Sequence, residues 1–255
     1  MLNNNLQTTS VTKHITGSAN GQSINQYVRL QLGSTNAAQW LVTLKQTNSD
    51  VITESIGTPT EGYVRYVKAS TSQKHADGSA YNFSPVINVW AKADAGTAST
   101  LKQLFGQTLL DMSTVPTPPI GNVSPAQREN IVQFMRDQTA FTPDYKTMQR
   151  KEVDGRKVYV YKVSVKLAPY LRMMQAFARD VGLRDLDSID PSQYQSSPPV
   201  NLVFEVDAAG HQLRAVSYVD QGFTQTYSGY GITTPIQVPT KTISVTELQT
   251  RLKKL

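Results

Sequence analysis

"KTMQRKEVDGRKVYVYKVSV", Lys146 to Val165, followed directly by "KLAPYLRMMQAFARDVG", Lys166 to Gly182, is the stretch on which the fold reading turns. The first part alternates apolar and polar residues on both sides of Asp154-Gly155. That pair supplies the two positive-φ positions of a tight hairpin turn, so the segment predicts two antiparallel strands. The second part drops the period of two. Leu167, Tyr170, Leu171, Met174, Phe177, Ala178 and Val181 recur at three- and four-residue steps, which predicts an amphipathic helix with Gly182 as its C-cap. A hairpin feeding a helix points to a mixed α and β protein with an antiparallel sheet.

Working outward toward the C-terminus, "VNLVFEVDAAGHQLRAVSYVD" predicts a second hairpin turning at Ala208 to Gly210. "GFTQTYSGYG" adds a strand beside it, and "VTELQTRLKKL" predicts a short final helix. Toward the N-terminus, "TASTLKQLFGQTLLDM" and "SPAQRENIVQFMRDQ" both carry helical stripes. The second opens with Ser124 as N-cap, Pro125 at the first helical position and Gln127 completing a capping box. The prolines of "VPTPPIGNV", from Val115, separate the two helices. Before Gly96, "QYVRLQLG", "QWLVTLK", "GYVRYVKA" and "SPVINVWA" predict strands with one wet and one buried face, closely spaced as in a meander. These elements are expected to form one domain over residues 1–255, with a helical insert at about 97–138 between two strand regions.

Composition narrows the chemistry. Charged residues are 17% of the 255, below the roughly 25% of ordinary globular chains. With no cysteine, disulfides, thiolate metal sites and a cysteine nucleophile are excluded. The net charge is +6, but Lys and Arg are scattered along the chain, with the densest group in the "RLKKL" tail. The reading is therefore a solubilising charge with mild attraction to anionic surfaces and no nucleic-acid partner. His14, His75 and His211 lack metal-ligand spacing. Asp185, Asp187 and Asp190 lack the glycine and distal glutamate of a calcium loop. Nucleophile-elbow, Walker and dinucleotide-binding motifs are missing from the sequence, so no enzyme activity, cofactor or metal is expected.

Three stretches, "VDGRKVYVYKVSVKLAPYL", "NLVFEVDAAGHQLRAVSY" and "YSGYGITTPIQVPTKTISVTEL", together with the order of elements, resemble the LolA-like superfamily. That group includes the LppX/LprG lipoproteins and related envelope lipoproteins of Gram-positive bacteria. The Tyr-Ser-x-Tyr-Gly step followed by a β run, a proline and a terminal helix is similar to the family's frequent ending. Two features depart from it: only a remnant of the usual leading amphipathic helix fits before Val11, and the lipobox cysteine is absent.

The resemblance implies an α+β fold in which a curved antiparallel sheet forms a half-open β-barrel with helices packed in its concave face. Tyr227, Tyr230 and Gly231 would then bend the closing strand, and Pro239 would blunt the sheet edge. It further implies a non-enzymatic, extracytoplasmic lipoprotein of the bacterial cell envelope, read here as a mature fragment without its signal and anchor. Its ligand would be a lipid, a lipoglycan or another hydrophobic molecule. Its partner would be a membrane or anionic envelope surface, reached through the missing N-terminal anchor. The expected ligand-binding residues are Trp40, Val42, Leu44, Trp90, Leu202 and Phe204 on the sheet, and Leu104, Phe105, Leu109, Phe134 and Phe177 on the helices, with the insert as gate. The competing reading is an envelope interaction module in which these same residues fill a solid core.

Overall fold

A computed structural model describes residues 1–19, 22–94, 100–112, 116–184, 186–218 and 224–255. Residues 97–99 and 113–115 of the expected insert, and Asp185, lie outside the described residues. Those described form twelve strands and five α-helices, an α+β protein with mostly antiparallel pairing. The chain divides into two compact units, one of Met1–Thr9 with Leu109–Gly231 and one of Ser10–Thr108 with Ile232–Leu255.

In the Ser10–Thr108 unit, β1 (Ser10–Ala19), β2 (Gln22–Gln31), β3 (Ala37–Gln46), β4 (Ser49–Gly57) and β5 (Gly62–Thr71) run as an antiparallel meander. β6 (Ala91–Lys92) extends β5, and β12 (Ile243–Ser244) pairs with β6 in parallel. The alternation seen in sequence becomes burial: Val28 and Leu30 are fully enclosed, and the intervening Arg29 is half-exposed. Two strands escaped the hydrophobic pattern, because polar residues occupy inward positions. Lys13 on β1 is 3% exposed, and Glu54 on β4 is 8% exposed. Glu54 accepts hydrogen bonds from Gln39 Nε2 at 2.6 Å and Arg65 Nε at 2.7 Å. A buried carboxylate with two donors of this kind is tolerated.

"SPVINVWA" is a correction to the sequence reading. Only Ala91 enters a strand, and Ile87 makes a single bridge to Tyr66. Pro85 removes a donor, and the Val86 and Ile87 amides bond back to the Phe83 carbonyl at 3.0 and 3.3 Å. Local turns therefore replace a ladder. The segment still contributes Val86 to a small core with Ala91 and Leu248. Leu248 comes from α5 (Val245–Leu252), whose N-terminal amide of Glu247 is capped by Ser244 Oγ at 2.9 Å.

The other unit carries β7 (Phe141–Val153), β8 (Arg156–Val165), β9 (Val200–Asp207), β10 (Leu213–Tyr218) and β11 (Thr224–Ser228), antiparallel in the order β11-β10-β9-β8-β7. Asp154 and Gly155 take φ of 50° and 70°, the left-handed pair the sequence called for. α3 (Pro125–Gln138) begins with the expected capping box: Ser124 Oγ accepts from the Gln127 amide at 3.3 Å, while Gln127 Oε1 accepts from the Ser124 amide at 3.0 Å. α4 (Leu167–Asp180) buries Tyr170, Met174, Phe177 and Ala178 of the expected stripe and Met173 beside them, while Leu167, Leu171 and Val181 stay half-buried. Phe177 lies against Gly121, where an added Cβ would sit 3.0 Å from the ring. Gly121 also holds the N-terminal segment, bonding through its amide to the Asn5 carbonyl and through its carbonyl to the Thr8 amide.

β11 stops at Ser228, and the chain turns through Gly229 and Gly231, with φ of 65° and 70°. Tyr230 fixes that turn by donating to the Leu213 carbonyl at 2.6 Å. The strand therefore ends before the Tyr-Gly step and turns there, rather than bending through it as expected. Pro239, however, stands in an irregular run between β11 and β12 and blunts no strand edge.

Candidate functional site

A pocket of about 580 Å³ with an apolar lining lies within the unit built around β7–β11. Strand register builds its floor. Tyr159 faces Val206, Tyr161 faces Phe204 and Val163 faces Leu202 across β8 and β9. The period of two therefore puts Tyr159, Tyr161, Val163, Phe204 and Val206 on one surface, and all five line the pocket. β7 adds Phe141 and Pro143 beside them.

After Pro143 the β7 register breaks. Asp144 pairs with Lys162 and Gln149 with Val160, so residues 145–148 bulge out opposite a single residue of β8. Asp144 holds this bulge: its carboxylate accepts from the Lys146 amide at 3.0 Å and from Thr147 Oγ1 at 2.9 Å. These bonds depress the Asp144 carboxyl below its ordinary range, the Thr147 hydroxyl contributing most. The bulge re-aims Tyr145, which is 74% exposed yet meets Tyr161 edge-on at 6.1 Å.

The rings form a connected wall. Tyr159 and Tyr161 lie 6.4 Å apart, Phe141 and Phe204 6.2 Å, and Phe141 meets Tyr170 of α4 edge-on at 5.9 Å. Arg150 places its guanidinium 5.4 Å over the Tyr159 ring. Burial, followed by the neighbouring Tyr159 and Tyr145, pushes the Tyr161 phenol above its ordinary range, so it is neutral at physiological pH. The remaining wall comes from Met135 and Arg136 of α3, Thr139 at its left-handed C-cap, Pro118, Leu2 and His211. The result is an apolar, aromatic surface with a cation and an imidazole on its border, suited to a hydrophobic body with one polar end.

Of the residues expected from sequence, Phe204 borders this pocket. In the same unit, Leu202, Phe177 and Leu109 are buried in the core and Phe134 is half-buried on α3, none of them lining it. Trp40, Val42, Leu44, Trp90, Leu104 and Phe105 belong to the other unit. There Trp90 packs on the cluster of Ala37, Ile56, Tyr63 and Ile236, with Arg65 4.7 Å from its ring. Trp40 donates its indole N–H to Thr108 Oγ1 at 2.7 Å. Leu104 and Phe105 of α2 (Thr100–Asp111) press on Gly57, where an added Cβ would come within 2.8 Å of both.

Sequence reasoning passed over Tyr145, Tyr159, Tyr161, Val163 and Val206. The signal lay inside the opening quotation, as the alternation Tyr159, Tyr161, Val163. Among the methionines on or near the helices, Met135 borders the pocket, whereas Met112, Met173 and Met174 are enclosed. Asp187 is engaged by Arg179 at 2.8 Å and Arg184 at 3.3 Å, and Asp190 by Ser192, so neither is a free calcium ligand.

Searches against protein-family models and against curated proteins find no match for this chain.

Proposed function

We propose that this protein is a non-enzymatic binder of a hydrophobic ligand, a lipid or the acyl portion of a lipoglycan, held in the aromatic pocket on β7–β9. The observation that carries the reading is the pocket itself: about 580 Å³, within the roughly 300–1,000 Å³ of small-molecule sites, and walled by aromatic rings and aliphatic side chains. Each methylene moved from water onto such a wall contributes about 0.8 kcal/mol. Arg136 and His211 receive the polar end at the border. α3 closes one side of the pocket through Met135 and Arg136, so the second helix of the expected insert takes the covering role there.

On this reading the sheet curves as a LolA-like half-open barrel with helices in its concave face. The protein works outside the cytoplasm at a bacterial envelope, as the resemblance of Val153–Leu171, Asn201–Tyr218 and Tyr227–Leu248 supports. The test is displacement of a fluorescent fatty-acid probe by an unlabelled fatty acid. Met135→Lys and Tyr161→Glu, both at half-buried positions, place a charge in the wall and are expected to weaken the probe at least ten-fold, with the melting transition retained. A folded wild-type protein that takes up no probe, or pocket variants that bind it unchanged, would refute the proposal.

A further inference from the structure

Charge that is scattered in the linear sequence is gathered by the β7–β8 hairpin. Residues 144–166 contain seven lysines and arginines against three acids, and so supply +4 of the chain's net +6. All seven cations are exposed, and none is in an ion pair among the described residues. At the tip, Lys151 stands opposite Val158, Glu152 opposite Lys157 and Val153 opposite Arg156, which puts cations on both faces of the hairpin. At the other end of the charged run, the β7 bulge presents Tyr145, 74% exposed, and Met148, 36% exposed, on either side of Lys146 and Thr147. Tyr145 is at the same time a wall of the pocket.

We propose that this hairpin docks on an anionic lipid bilayer. Tyr145 and Met148 enter the headgroup layer, and the lysines and arginines lie against lipid phosphates. A net excess of exposed cations beside an exposed aromatic ring is complementary to such a surface, where tyrosine's amphipathic ring settles at the headgroup level and basic residues are drawn by the negative potential. A soluble polyanion would be served by the charge alone and gives no place to Met148 or to the apolar pocket that continues behind Tyr145. Docked this way, the pocket faces the layer from which a hydrophobic ligand is taken or to which it is returned. The inference rests on the hydrophobic-ligand reading for its purpose, while its geometry stands on the hairpin.

The experiment is binding of the full chain to phosphatidylcholine vesicles, with and without phosphatidylglycerol, at low and high salt. The wild type is expected to bind the anionic vesicles only, and more weakly as salt rises. Each cation near an anionic surface contributes about five-fold to partitioning. The triple variant Lys151→Gln/Arg156→Gln/Lys157→Gln, changed only at exposed positions, is therefore expected to bind about a hundred-fold more weakly. Tyr145→Ser should lose several-fold with its salt dependence unchanged. Equal binding to neutral and anionic vesicles, or a triple variant that binds like the wild type, overturns the proposal. Single-stranded DNA bound as tightly as the anionic vesicles, with Tyr145→Ser indistinguishable from wild type, also overturns it. Probe uptake is measured separately without vesicles: its loss with vesicle binding intact removes the ligand reading alone, and the reverse removes the docking alone.

Discussion

Replacing Gly62 by alanine tests whether α2 is a seated core helix or a movable cover. A Cβ at this position would lie 2.0 Å from the Leu101 carbonyl oxygen, 2.3 Å from its carbonyl carbon and 2.9 Å from its Cβ. The first two are backbone atoms, so no rotamer change relieves the clash. Carbon–oxygen contacts of this kind settle at about 3.3 Å, so helix and strand must separate by about 1.3 Å. Overpacking of that order costs about 1–3 kcal/mol, sometimes more, while alanine recovers about 0.4–1 kcal/mol by restricting the unfolded chain. The net loss should be about 2 kcal/mol, or about 4–8 °C in the melting midpoint. Gly17→Ala is the control: on β1, with nothing within 4 Å of the added atom, it should leave the midpoint unchanged or raise it by about 1–3 °C. The assay is thermal unfolding followed by far-ultraviolet circular dichroism. If Gly62→Ala melted with the control, α2 would not be seated against β5 as described. The gate expected of the first half of the insert, with Leu104 and Phe105 facing ligand, would then return as the better reading.

Two further outcomes follow from buried polar groups. Thr108 is fully buried, accepts from the Trp40 indole at 2.7 Å and donates to the Leu104 carbonyl at 2.6 Å, so Thr108→Val leaves the indole N–H unpaired and should cost about 1–3 kcal/mol in urea unfolding; an unchanged urea midpoint would show that the indole bond contributes nothing. The Tyr63 phenol is pushed up to about 12 by burial and then by its hydrogen bond to Glu61, and burial also raises Tyr170, Tyr227 and Tyr230. Because the folded state keeps these protons after the unfolded chain has begun to release them near pH 10, stability is full below that pH and falls as pH rises toward 12. Tyrosinate absorbance should therefore appear in two stages, the second coinciding with loss of circular dichroism. All twelve tyrosines ionising together with the fold intact would refute it.

The elements written most clearly in the sequence are those whose signals are local. Asp154-Gly155 needs only its own backbone to turn, and the Ser124–Gln127 box closes within one helical turn. The stripe from Tyr170 to Ala178 follows from the helical period, and each is found where its residues placed it. Readings failed where burial and backbone pairing, rather than residue period, decide. Pro85 and the amides bonded to Phe83 turned an apolar run into a loop, and the buried Lys13 and Glu54 hid strands β1 and β4 behind polar side chains, Glu54 being held by Gln39 and Arg65 of the adjacent strands. The candidate site shows the same division. Aromatic and aliphatic residues line the pocket, but of those expected Trp40, Val42, Leu44, Leu104 and Phe105 belong to the other unit, where Leu104 and Phe105 are packed against Gly57.

By itself the sequence determined the hairpins, the helices, the antiparallel α+β class and the absence of thiol chemistry, because turn geometry, residue period and composition act over a few residues at a time. Only the tertiary structure decided that a four-residue bulge opens β7 beside Tyr161 and that Tyr159, Tyr161 and Phe204 share one surface. It also decided that Leu104 and Phe105 are closed against a glycine. The physical reason is that whether an apolar side chain borders a space or fills one depends on strand register and on how closely two backbones approach, and both are set by contacts between segments far apart in the chain.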